Sequence, residues 1–66
     1  METGKIYGFM YQGKKDTSPK HRYLYVEEID ETSVLGKLME ENNFEAIRRF
    51  RFDCMTTNPV DVATFD

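Results

Sequence analysis

The stretch "AIRRFRFDCM", residues 46 to 55, decides how the chain is read. From Arg49 onward, charged and apolar residues alternate. As a strand, Phe50, Phe52 and Cys54 point one way, and Arg49, Arg51 and Asp53 the other. As a helix begun near Asn43, Phe44, Ile47 and Phe50 would form the stripe, and Phe52 would fall off it. Period two wins, so the spacing predicts a strand from about Ile47 to Met55. A short helical turn at Asn43 to Ala46 stays open.

Working outward from it, "KHRYLYVEEI" (20 to 29) reads as a strand with Leu24 and Val26 on one face alongside Arg22 and Glu28. Tyr23, Tyr25 and Ile29 share its other face with Glu27. "KIYGFMYQ" (5 to 12) is an earlier strand, with Tyr7, Phe9 and Tyr11 on one face and Ile6, Gly8 and Met10 on the other. Gly8 weakens a strand unless it marks a bend, which a small barrel needs. "GKKDTSP" (13 to 19) and "DET" (30 to 32) are polar connections. "SVLGKLMEE" (33 to 41) fits either a strand, with Val34 and Leu38 opposite Leu35 and Met39, or a helix with a Val34, Leu35, Leu38, Met39 stripe. Gly36 weighs mildly against the helix. "ENNFE" reads as a turn. Asn58-Pro59 is a turn before "VDVATF", a short closing strand.

Four or five short strands at even spacing imply an all-β fold, or a mainly β one with a single short helix. The expected form is a small, strongly bent antiparallel sheet closing into an SH3-like barrel. The 66 residues make one domain at most. A domain this small buries only about 60% of the surface its unfolded chain exposes.

Cys54 is the only cysteine and His21 the only histidine, so neither an internal disulfide nor a zinc cluster is expected. Cys54 reads as a small core residue in a reducing cytoplasm. The opening residues lack the pattern of a secretory leader, and no run approaches the ~20 apolar residues of a membrane span. There is no glycine-rich phosphate loop, nucleophile elbow or H-E-x-x-H, so no enzyme, metal or cofactor is expected.

The net charge of −3 conceals segregation. Lys14, Lys15, Lys20 and Arg22 form one basic cluster, and Arg48, Arg49 and Arg51 another. An acidic segment with Glu27, Glu28, Glu40 and Glu41 runs between them. A near-neutral total can hide a basic patch.

"FMYQGKK" (9 to 15), "HRYLYV" (21 to 26) and "RRFRFDCM" (48 to 55) occur in the order seen in WYL domains, which the chain resembles. Those domains resemble Sm or SH3-like barrels and close on a strand of the form R-x-F-R-L-D-R-I. Arg49, Phe50, Arg51, Phe52 and Asp53 fit that pattern in part, with Met55 where Ile is usual. The chain has no Trp, and Cys54 stands where the family has Arg. "RYL" (22 to 24) or, preferably, "VLG" (34 to 36) takes the place of the name-giving tripeptide. The resemblance implies a stand-alone regulatory barrel, of a size found in bacteriophage genomes, that binds nucleic acid or a nucleotide.

The candidate phosphate-binding residues are Arg22, Arg49 and Arg51, extended by Lys14, Lys15 and Lys20, because arginine forks match phosphate oxygens. Tyr11, Tyr23 and Tyr25 are candidate stacking platforms. The plainer reading makes Arg49 and Arg51 wet-face residues paired with Glu27, and the tyrosines core. The rival function is a protein-interaction module, such as a phage inhibitor of a host protein. It would dock through Glu27, Glu28, Glu40 and Glu41 or through a sheet edge. A homodimer would cover such an edge.

Overall fold

A computed structural model describes residues 1–39 and 46–62. Its strands are β1 (Ile6–Tyr11), β2 (Lys20–Ile29), β3 (Ser33–Leu38), β4 (Arg48–Arg51) and β5 (Val60–Asp61), with a 3-10 turn at Phe52–Cys54. They form one antiparallel sheet in the order β4-β3-β2-β1-β5. The expectation of a mainly β fold with four or five strands in one bent antiparallel sheet is therefore met, with five strands among the described residues.

Of residues 33 to 41, Ser33–Leu38 form a strand. Val34 pairs with both Ile29 and Phe50, and Gly36 with both Val26 and Arg48. Gly36 explains the choice. It is buried against β2, so closely that a side chain there would collide with the Tyr25 carbonyl. A register shift between Val26 and Glu28 bulges β2 beside it. The turn before β3 is built by Asp30, whose Oδ1 accepts the amides of Thr32 and Ser33, each at 2.8 Å.

The fourth strand is shorter than its alternation suggests. It ends at Arg51, and Phe52–Cys54 form the 3-10 turn. The Phe52 amide still donates to Thr32 O at 3.0 Å; then the chain leaves β3 and crosses to β1. There Met55 bridges Tyr11, Gln12 N donates to Cys54 O at 3.0 Å, and Thr56 N to Met10 O at 2.9 Å. Tertiary pairing with β1 overrides local alternation, so Phe52 and Cys54 are only half-buried. The expected closing strand shrinks to Val60–Asp61, and residues 63 to 66 lie outside the described region. So do Asn43 to Glu45 of the expected helical turn, and Glu40 and Glu41.

The sheet is strongly curled. β1 and β4 lie three strands apart in the order, which would be about 14 Å in a flat sheet. Yet the Phe50 ring meets Phe9 at 5.7 Å and Tyr11 at 4.8 Å, both edge-on. Inside the curl, Tyr7, Phe9, Leu24, Val26, Val34, Leu38 and Phe50 form the core, with Tyr11, Phe52 and Met55 packed against it. These are the apolar faces expected of β1 to β3, together with Phe50 of β4.

Candidate functional site

The register separates the three arginines. Arg22 stands opposite the core residue Phe9, so it belongs to the inner side of β2. Arg49 and Arg51 stand opposite Leu35 and Ser33, on the outer side of β4. Arg22 is thus on the inner face and the other two on the outer, so they do not share one sheet face.

Arg49 and Arg51 have acidic partners, though not Glu27. Arg49 Nη1 lies 3.5 Å from Asp30 Oδ2 and donates to Ser33 Oγ at 3.1 Å. Arg51 Nη2 donates to Asp53 Oδ2 at 2.8 Å. Glu27 instead pairs with Lys37, at 3.6 Å. These pairs are half-exposed, where an ion pair contributes about 0–1 kcal/mol. Hydrogen bonds from the Thr32 and Ser33 amides hold the Asp30 carboxyl below its ordinary range. At Asp53, burial works to raise the carboxyl. The Cys54 hydrogen bond, the Arg51 bond and charge, and the charge of Lys14 outweigh it and keep it low.

Tyr11 is tied into the structure. Its ring packs on Phe9 and Phe50, and its hydroxyl accepts the Arg51 amide at 3.2 Å. Burial raises its phenol above the ordinary value, more than the Arg51 amide lowers it. Tyr11 therefore offers no open ring face comparable with that of Tyr23.

Tyr23 and Tyr25 lie on the outer side of β2, opposite Gly8 and Ile6 of β1. Tyr23 is 44% exposed. His21 precedes it on the same side, and their rings lie 4.4 Å apart at a 58° tilt. Both rings lean over Gly8: a Cβ there would lie 3.1 Å from Tyr23 Cε1 and 3.4 Å from His21 Cε1. Lys37 faces Tyr25 from β3. The pairing of His21 with Tyr23 over Gly8 has its signal in the His21, Tyr23, Tyr25 spacing of one strand.

At the His21 end of this row lies the β1–β2 loop. Gly13 and Asp16 brace it: Gly13 N donates to Asp16 Oδ2 and Asp16 N to Gly13 O, each at 3.0 Å. Lys14, Lys15 and Lys20 are exposed, and among the described residues none of them is in an ion pair. Gln12 N donates to Cys54 O at 3.0 Å, so the loop and the 3-10 turn share one end of the molecule, and the charge of Lys14 helps to lower the Asp53 carboxyl. Glu27 and Glu28 occupy the far part of β2, where with Leu35 and Ile47 they line a groove of about 350 Å³. Among the described residues no group of His, Cys, Asp and Glu could hold a metal ion. No helix among them is long and apolar enough to cross a membrane.

No family model, curated protein or solved structure matches the chain.

Proposed function

We propose that this chain is a non-enzymatic binding module whose ligand is nucleic acid, held through phosphates at the β1–β2 end. One observation carries the reading. Lys14, Lys15 and Lys20 are exposed without ion-pair partners among the described residues, whereas Arg49 and Arg51 already face Asp30 and Asp53. Cations outside an ion pair are the ones a polyanion can take without first breaking a close carboxylate contact. The net charge of −3 does not oppose this, because Glu27 and Glu28 lie towards the other end of β2. The likeness of residues 48 to 55 to a WYL closing strand agrees with the reading but does not carry it, since that pattern here spans a strand and a turn.

The discriminating variants are Lys14→Glu/Lys15→Glu/Lys20→Glu and Arg49→Glu/Arg51→Glu, titrated with a labelled oligonucleotide. Loss of binding confined to the lysine variant supports the reading. Loss confined to the arginine variant returns the site to β4. A protein partner is the second reading, supported by the groove between Glu27, Glu28, Leu35 and Ile47, with Ile47 48% exposed. A basic partner with an apolar anchor would fit it, and Glu27→Lys/Glu28→Lys would then abolish function.

A further inference from the structure

We propose that the His21–Tyr23 ring pair is a stacking platform for one unpaired base, so that the module prefers single strands to duplex, and that Gly8 is the positioning residue that makes the platform. This rests on the nucleic-acid reading above and names its ligand class.

The argument begins with an exposed aromatic pair. Tyr23 keeps 44% of its surface exposed in the middle of a sheet, on a side where neither ring belongs to the core. Among the described residues the rings touch each other and lean over Gly8. The opposite position on β1 is a glycine in the interior of a strand, where glycine is otherwise unfavourable. With no side chain there, the rings settle across the β1 backbone, between Met10 opposite His21 and Tyr25 beyond Tyr23. A Cβ at position 8 would lie 3.1 Å from Tyr23 Cε1, so the ring would have to give by a few tenths of an ångström, and a larger branched side chain would displace it further.

The surroundings select the occupant. Lys20 pairs with Tyr11 and so lies on the opposite face from His21, but the Lys14–Lys15 turn follows at the His21 end of the β1–β2 hairpin. A base laid on the rings would therefore have its phosphates beside cations. Base–aromatic stacking contributes about 1–3 kcal/mol per base. A duplex hides its base faces in its own stack, so it can use only the lysines.

The test uses labelled single-stranded oligothymidylate and a hairpin duplex of equal phosphate count, read by fluorescence anisotropy. The wild-type chain should bind the single strand roughly tenfold or more tightly than the duplex, the factor that about 1.4 kcal/mol of stacking gives. Tyr23→Ala should abolish that preference and leave duplex binding unchanged, and Tyr23→Phe should keep it. The chain contains no tryptophan, so Tyr23→Trp gives a single reporter at the platform. Its emission should be quenched by the single strand and not by the duplex. Adding Gly8→Val should remove the quenching while the circular dichroism spectrum stays that of the folded chain. Equal binding of both ligands, with Tyr23→Ala silent, would overturn the platform and leave the phosphate reading standing. Failure of both ligands to bind would overturn the two together.

Discussion

A methyl group added at Gly36 would have to enter the closest backbone approach in the β2–β3 ladder. It would overlap the Tyr25 carbonyl oxygen and lie 3.0 Å from Leu24 Cγ and from the Tyr25 carbonyl carbon. Carbon and carbonyl oxygen normally meet between strands at roughly 3.3–3.6 Å. The obstruction is backbone in mid-sheet, so it cannot rotate away as a side chain would. Relief requires β2 and β3 to separate where Val26 pairs with Gly36, beside the bulge. Overpacking of a filled core costs about 1–3 kcal/mol, and immovable backbone argues for the upper end. A chain of 66 residues has a total stability of roughly 3–10 kcal/mol. Gly36→Ala should therefore remove a third or more of it. With a urea slope of about 1 kcal/mol/M for so small a domain, the midpoint should drop by about 3 M. Gly13→Ala is the control: its Cβ would lie 3.1 Å from Asp16 Oδ2, the end of a side chain that can move. It should cost less than about 1 kcal/mol. A Gly36→Ala midpoint within about 0.5 M of wild type would refute the packing argument.

Three further perturbations probe the curl and the turn. Phe50→Ala removes the ring that joins β4 to Phe9 and Tyr11 and should cost about 3–5 kcal/mol by urea denaturation, against less than about 1.5 for Phe50→Leu. Tyr11→Phe keeps those ring contacts and loses the hydroxyl that accepts the Arg51 amide and meets Cys54, so its cost in the same assay should be about 1–2 kcal/mol. Asp30 has its carboxyl below the ordinary 3.8 through the Thr32 and Ser33 amides. A depressed carboxylate contributes stability that is full above its unfolded pKa and lost as pH falls through the folded one. Thermal stability should thus decline on acidification below about pH 4, and Asp30→Ala should make that decline shallower.

Much of the sheet was legible because half-buried strands carry their own period. The inward faces Tyr7/Phe9 and Leu24/Val26 alternate cleanly, and both are core. Residues 33 to 41 were not decidable locally. Val34, Leu35, Leu38 and Met39 suit a helix as well as a strand, and what selects the strand is the fit of Gly36 against β2, a contact between distant segments. The end of β4 was hidden for the opposite reason. The alternation continues past Arg51, but pairing of residues 54 to 56 with the end of β1 bends the chain into a 3-10 turn.

At the site, alternation placed Arg49 and Arg51 on the solvent side. Which acids meet them depends on the β3–β4 register and the Asp30 turn, so Asp30 and Asp53 were found in place of Glu27. The lysines of the β1–β2 loop were visible as a cluster in the sequence. That they have no ion-pair partners among the described residues is a property of the fold alone.

The central claim is that loop lysines hold phosphates. The most direct test is the salt dependence of binding to a labelled single-stranded oligonucleotide. Three lysine–phosphate contacts predict a slope of about −2 in log affinity against log salt, at ~0.7 per phosphate for a single strand. The slope should fall towards zero for Lys14→Glu/Lys15→Glu/Lys20→Glu. A slope near zero for the wild-type chain, or no binding at the lowest salt, would contradict the account.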